Sequence, residues 1–260
     1  IAIGSVTSLT VYSLLWFFIE FFQASFLINF LVSGGICLGL AIFMGMYFPS
    51  FEEKSQQNKS IVLRKRYWLY YLLTFLSGAR RQIFVVFAAF LMVEKFGYSV
   101  SEVTLLFLVN YAFNWLFAEK IGQLIGRIGE RRALTLEYTG LIFVFVAYGL
   151  VDNATLAACL YVIDHMFFAL AIGIKTYFQK IADPADMASS AGVSFTINHI
   201  AAVVIPAALG LVWLWSHALV FYFGAMFALL SLIASQLIPR DPMQGKETNL
   251  SSANSLGYQA

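Results

Sequence analysis

From Ile1 to Phe48 the chain is almost uninterrupted hydrocarbon. Wound as one α-helix at about 1.5 Å per residue, this run would reach roughly 70 Å, more than twice the thickness of a bilayer's apolar layer. It is expected to cross a membrane twice, turning at the polar pair Glu20 and Gln23, with spans near 1–20 and 26–48. Comparable runs recur near 67–93, 100–119, 133–151, 155–176, 187–213 and 217–238, so about eight crossings are expected. Composition agrees, because 60% of the residues are apolar and 12% charged, against about 45–50% and 25% in a soluble domain. Membrane strands would alternate apolar and polar residues over about 10 positions, and LIFVFVAYGLV from Leu141 does not. The expected fold class is all-α, a polytopic transmembrane helix bundle. Two helix starts are signed locally, by Ser99 with Glu102 as a capping box and by Asp183 followed by Pro184.

Lys and Arg favour loops on the cytoplasmic side. With these spans, Lys54, Lys59, Arg64, Lys65, Arg66, Lys120, Arg127, Arg131, Arg132, Lys175, Lys180, Arg240 and Lys246 fall on one side and Lys95 on the other. That places a polar linker, 49–66, and a tail, 239–260, in the cytoplasm, with the protein in the plasma or inner membrane. The tail's Gly, Ser, Asn and Gln predict disorder. The net charge of +2 and the scattered basic residues point away from nucleic acid and leave the lipid bilayer and a small solute as partners. A monomer is the expected state. Cys37 and Cys159 lie in separate apolar runs and are expected to be inert buried thiols. The opening run lacks the basic start and cleavage site of a signal peptide, and the chain reads as the later part of a longer one.

Between the spans ending at 119 and beginning at 133 runs GQLIGRIGERRAL, with Gly122, Gly126, Arg127, Gly129, Arg131 and Arg132. Glycines allow a tight turn, and arginines can face helix C-termini and anionic head groups. The spacing resembles the loop signature of the major facilitator superfamily: a glycine, three residues, an acid, a base, any residue, a glycine and then basic residues. Gly126 stands in the acid's place, and Glu130 precedes the two arginines. The resemblance implies two six-helix halves joined by a cytoplasmic linker. Residues 1–48 would then end the first half and 67–238 form the second, with four helices preceding Ile1. It also implies secondary transport by alternating access, as symporter or antiporter, with the first and fourth helices of each half lining a central cavity. Here those helices are 67–93 and 155–176.

A charge at mid-membrane costs about 2.5–3.5 kcal/mol on insertion scales, so it persists where it faces protein or water. Arg80 and Arg81, followed by Gln82, lie near the middle of the 67–93 span, with Ser77 and Thr74 continuing a polar stripe at helical spacing. Guanidinium donors match carboxylate or phosphate oxygens in bidentate geometry, which makes the pair a candidate anion site. A salt bridge locking two helices is the other reading. Asp164 and His165, central in the 155–176 span, are the expected counter-charges and the candidates for proton coupling, with a structural role for Asp164 equally open. Asn110 and Asn114 share one helix face, as do Ser194 and Asn198 beside His199. The asparagines are candidate solute contacts or ordinary interhelical bonds, and His199 joins the proton-coupling candidates.

The function expected is proton-coupled transport of a small solute, an organic anion, with no cofactor, no metal and no catalytic residue. No GxxxxGK[ST] loop is present for ATP. The rivals are an intramembrane enzyme using His165 or His199, without HExxH or GxSxG to support it, and a membrane assembly subunit that transports nothing.

Overall fold

A computed structural model describes residues 2–22, 25–48 and 63–250. Gln23, most of the linker and residues 251–260 lie outside the described residues. The regular structure described is helical: α1 Ala2–Phe22, α2 Phe26–Tyr47, α3 Lys65–Glu94, α4 Val100–Ile128, α5 Glu130–Leu150, α6 Ala154–Ile181, α7 Pro184–Trp213 and α8 His217–Ser235. Seven of these, α2 to α8, are long and apolar enough to cross a membrane, while α1 carries a shorter apolar stretch, Val6–Phe18. The chain is a multi-pass helical bundle.

Local chemistry sets the helix starts. Ser99 Oγ accepts from Glu102 N at 3.2 Å and Glu102 Oε2 accepts from Ser99 N at 2.7 Å, closing the expected capping box of α4. Asn153 and Ser216 cap α6 and α8 by accepting from Leu156 N and Leu219 N. Asp183 Oδ1 accepts from Ala185 N at 2.9 Å beside Pro184, as expected for the start of α7. The glycine-rich loop is corrected. Helix α4 continues through Gly122, Gly126 and Arg127 to Ile128, and the turn is Gly129 alone, at φ +84°. One residue without a Cβ suffices because it adopts the left-handed region that other residues avoid.

Helices gain little from the hydrophobic effect against one another in lipid, so close van der Waals packing must hold them. Glycines provide it here: Gly149 receives the Tyr222 ring, Gly224 the Phe145 ring and Gly140 the Phe167 ring. Tyr148 stacks on Phe221 with centroids 5.0 Å apart, joining α5 to α8. One interior cluster collects Ile83, Phe87, Leu91, Phe145, Tyr148, Tyr161 and Trp213; a second collects Tyr67, Leu73, Leu134, Tyr138, Tyr177 and Ile238. The outer surface is the apolar one, with Phe143, Val203 and Leu211 exposed, as a lipid solvent requires. Cys37 and Cys159 also lie on exposed surface, not in the interior as expected.

The bundle has two chemically distinct ends. At one, Arg64 and Arg66 bind Asp186, Lys180 binds Glu130, and Arg131 binds Gln236. At the other, Lys95 Nζ meets Asp152 Oδ1 at 2.7 Å, and Trp213 Nε1 donates to Glu94 Oε2 at 2.9 Å. The first part of the tail, expected to be disordered, returns to the basic end. Tyr177 Oη donates to Glu247 O at 2.6 Å, Gln244 Nε2 to Ala182 O at 2.7 Å, and Asn249 N to Leu237 O at 2.9 Å. Composition hid these bonds because their acceptors are main-chain carbonyls on other elements. On the N-terminal side, α1 seats on α4 through Tyr12, stacked on Phe107 and Tyr111, and through Ser101 Oγ donating to Glu20 Oε2 at 2.6 Å.

Candidate functional site

The polar stripe of α3 passes between the two interior clusters. Arg80 is 1% exposed and its guanidinium runs back along its own helix, Nε donating to Leu76 O at 3.3 Å. Side chains on a helix lean toward its N-terminus, which here means toward the basic end. There Nη1 and Nη2 both reach Glu137 Oε1 of α5, each at 3.4 Å, and the cation lies 4.4 Å from the centre of the Tyr138 ring. Glu137 is 0% exposed. Glu137 is therefore the acid in direct contact with Arg80, while Asp164, the expected counter-charge, lies farther off and within its electrostatic reach. The lean of the arginine side chain selects an acid nearer the helix start.

Both Arg80 contacts exceed the roughly 2.7–2.9 Å of a closed charge-assisted bond, so the pair is held loosely. Asp164 of α6 is 3% exposed and within electrostatic reach of both Arg80 and Glu137. Among the described residues Glu137 Oε2, Asp164 Oδ1, the Tyr161 hydroxyl and both side-chain polar atoms of Asn110 have no hydrogen-bond partner. Leaving such a group unbonded costs about 1–3 kcal/mol, so each calls for a partner from outside the chain, such as a water, a proton or a solute group. One guanidinium faces two buried carboxylates.

Arg81, one position on, is exposed on the open side of α3 and within electrostatic reach of His165. His165 is half-buried, stacked on Tyr161 at 5.6 Å and edge-on to Phe84 at 5.5 Å. Asn198 of α7 lies against Gly78, one turn before Arg81, and donates to Ser194 O at 3.0 Å. A Cβ on Gly78 would sit 2.6 Å from Asn198 Oδ1, so glycine is what lets the amide approach. Gln82 is half-buried at the start of a π-helical stretch, Ile83–Ala88. Such widened turns occur often at functional sites.

The remaining expected residues stand apart. Asn110 is buried on α4, one turn from Phe107, whose ring meets Tyr161 edge-on at 5.8 Å. Asn114, one turn on, is half-buried. His199 is exposed, with Nδ1 2.8 Å from Phe195 O of its own helix and its ring 3.9 Å from that of Phe195. A step of about 100° per residue turns it off the face that carries Asn198 toward α3, so the structure does not bring it into the cluster. Among the described residues no three His, Cys, Asp or Glu side chains converge to hold a metal ion.

The sequence matches no protein-family model and no curated protein. What the site does must be argued from its own chemistry. Glu137 and Tyr138 were missed in the sequence although Glu137 lies inside the 133–151 span, where any acid is as anomalous as Arg80. That anomaly was the available signal.

Proposed function

We propose that the protein is a proton-coupled secondary transporter of a small organic anion, working by alternating access. The observation that carries the reading is the shared guanidinium: Arg80 lies loosely against Glu137 with Asp164 in electrostatic reach and its Oδ1 unbonded. Ionised, Asp164 competes with Glu137 for Arg80; protonated, it leaves Arg80 to Glu137. Proton occupancy would thereby bias how α3 sits against α5 and α6, as a two-state element requires. Arg81, exposed on α3 and within electrostatic reach of His165, supplies the donors for a carboxylate. The resemblance of the Gly122 to Arg132 segment to the major facilitator signature points the same way. In this reading the basic end faces the cytoplasm.

A purely structural salt bridge would not need a second buried acid, and it would leave no reason for Arg81. The test is uptake of mono- and dicarboxylates and inorganic phosphate by cells expressing the full-length protein. Arg81→Gln is expected to abolish uptake of the transported anion while membrane insertion stays normal. Wild-type uptake by Arg81→Gln contradicts the anion site.

A further inference from the structure

At the basic end, an open recess of about 530 Å³ lies between the ends of α4, α5, α6 and the chain following α8. Arg127 enters it from α4, Arg131 and Arg132 from the first turn of α5, Lys180 from α6 and Arg240 from beyond α8. The acids facing it are Glu130 and Asp241. Glu130 is 3% exposed and neutralised by Lys180 at 2.7 Å, and Arg131 binds the uncharged Gln236, which leaves its charge in place. Among the described residues the side chains of Arg127, Arg132 and Arg240 make no hydrogen bond or ion pair, and all three are exposed. The fold thus brings arginines from three elements into one concavity, where five basic side chains face two acids, Glu130 held by Lys180 and Asp241 in no ion pair with the arginines.

A second feature has the same sign. Helix α5 is 21 residues long and begins at Gly129 with no side-chain cap. Its first-turn amides therefore have no side-chain acceptor at the cap, and the one acid in that turn is Glu130. The neutral Gln236 beneath the recess is itself anchored, Nε2 donating to Thr135 Oγ1 at 3.0 Å, so Arg131 is held in a fixed orientation. Arginine forks and free helix amides together fit the tetrahedral oxygens of a phosphate group better than they fit a single carboxylate. The recess lies where the bundle ends, at head-group depth for a lipid.

We infer that this recess is a binding site for a phosphate group, separate from the buried cluster around Arg80. The phosphate comes from an anionic phospholipid head group or from a soluble phosphate, and the experiment distinguishes the two. Full-length protein is placed in nanodiscs of phosphatidylcholine alone and of phosphatidylcholine with phosphatidylglycerol or cardiolipin. Inorganic phosphate and pyrophosphate are titrated into the phosphatidylcholine sample. Thermal stability and lipid retained in native mass spectrometry are recorded for wild type, for Arg127→Gln/Arg132→Gln/Arg240→Gln and for the control Lys120→Gln. Wild type and control are expected to hold the phosphate probe, with binding on the order of a hundredfold weaker in the triple variant.

Retention of anionic phospholipid without a phosphate response assigns the site to a head group; a phosphate or pyrophosphate response without lipid retention assigns it to a soluble ligand. If neither probe binds, or if the triple variant binds as wild type does, the inference is overturned. The three arginines carry no structural bond, so the variant's fold is checked by its unchanged melting in phosphatidylcholine alone.

Discussion

Arg80 and Arg81 differ by one helical step and meet opposite surroundings, one sealed against Glu137 and Tyr138, the other facing outward beside His165. Removing one partner of a buried ion pair leaves an uncompensated charge, a loss of about 3–5 kcal/mol. Arg80→Leu and Glu137→Leu are each expected to destabilise the protein by that order in unfolding experiments in detergent. The double substitution is expected to recover only part of the loss, because Asp164 then stays buried without the Arg80 charge. Gly140 tests close packing at the same scale. A methyl group there meets the Phe167 ring, so Gly140→Ala is expected to cost about 1–3 kcal/mol, and adding Phe167→Ala should relieve part of it. The sequence made the arginines conspicuous as charges in an apolar run. It could not assign them different roles, since that depends on which neighbour fills each face.

At the scale of elements, the start of α3 is fixed from a distance. Asp186, 2% exposed, accepts from Arg64 at 3.1 Å, Arg66 at 2.8 Å and the Tyr67 hydroxyl at 3.2 Å. The two arginine side chains are 45% and 42% exposed, so solvent screens part of their contribution. Asp186→Asn is expected to cost about 1–2 kcal/mol and to speed amide hydrogen exchange in residues 64–68 without altering α5. Helix existence was legible in the apolar runs, and capping chemistry placed the starts of α4 and α7 correctly. The end of α4 was misplaced because Gly122 and Gly126 look like turn residues, whereas a helix packed along one side tolerates both. The first part of the tail, 239–250, was misread for a related reason: its bonds run to main-chain carbonyls, which leave no trace in composition.

For the whole molecule, the separation of charge between the two ends carries the orientation. With Cys37 and Cys159 replaced by serine, a membrane-impermeant maleimide is expected to label Asp152→Cys in intact cells. Arg132→Cys should be labelled only after permeabilisation; the reverse pattern would invert the bundle. The transport account itself rests on Asp164 acting as the proton-binding competitor for Arg80. The direct measurement is proton influx into proteoliposomes holding the full-length protein and a lumenal pH dye, after addition of carboxylates or phosphate outside. The account predicts anion-evoked acidification in wild type and its loss in Asp164→Asn, with correctly inserted protein in both. No anion-evoked proton movement above that of protein-free liposomes, or undiminished coupling in Asp164→Asn, would contradict it.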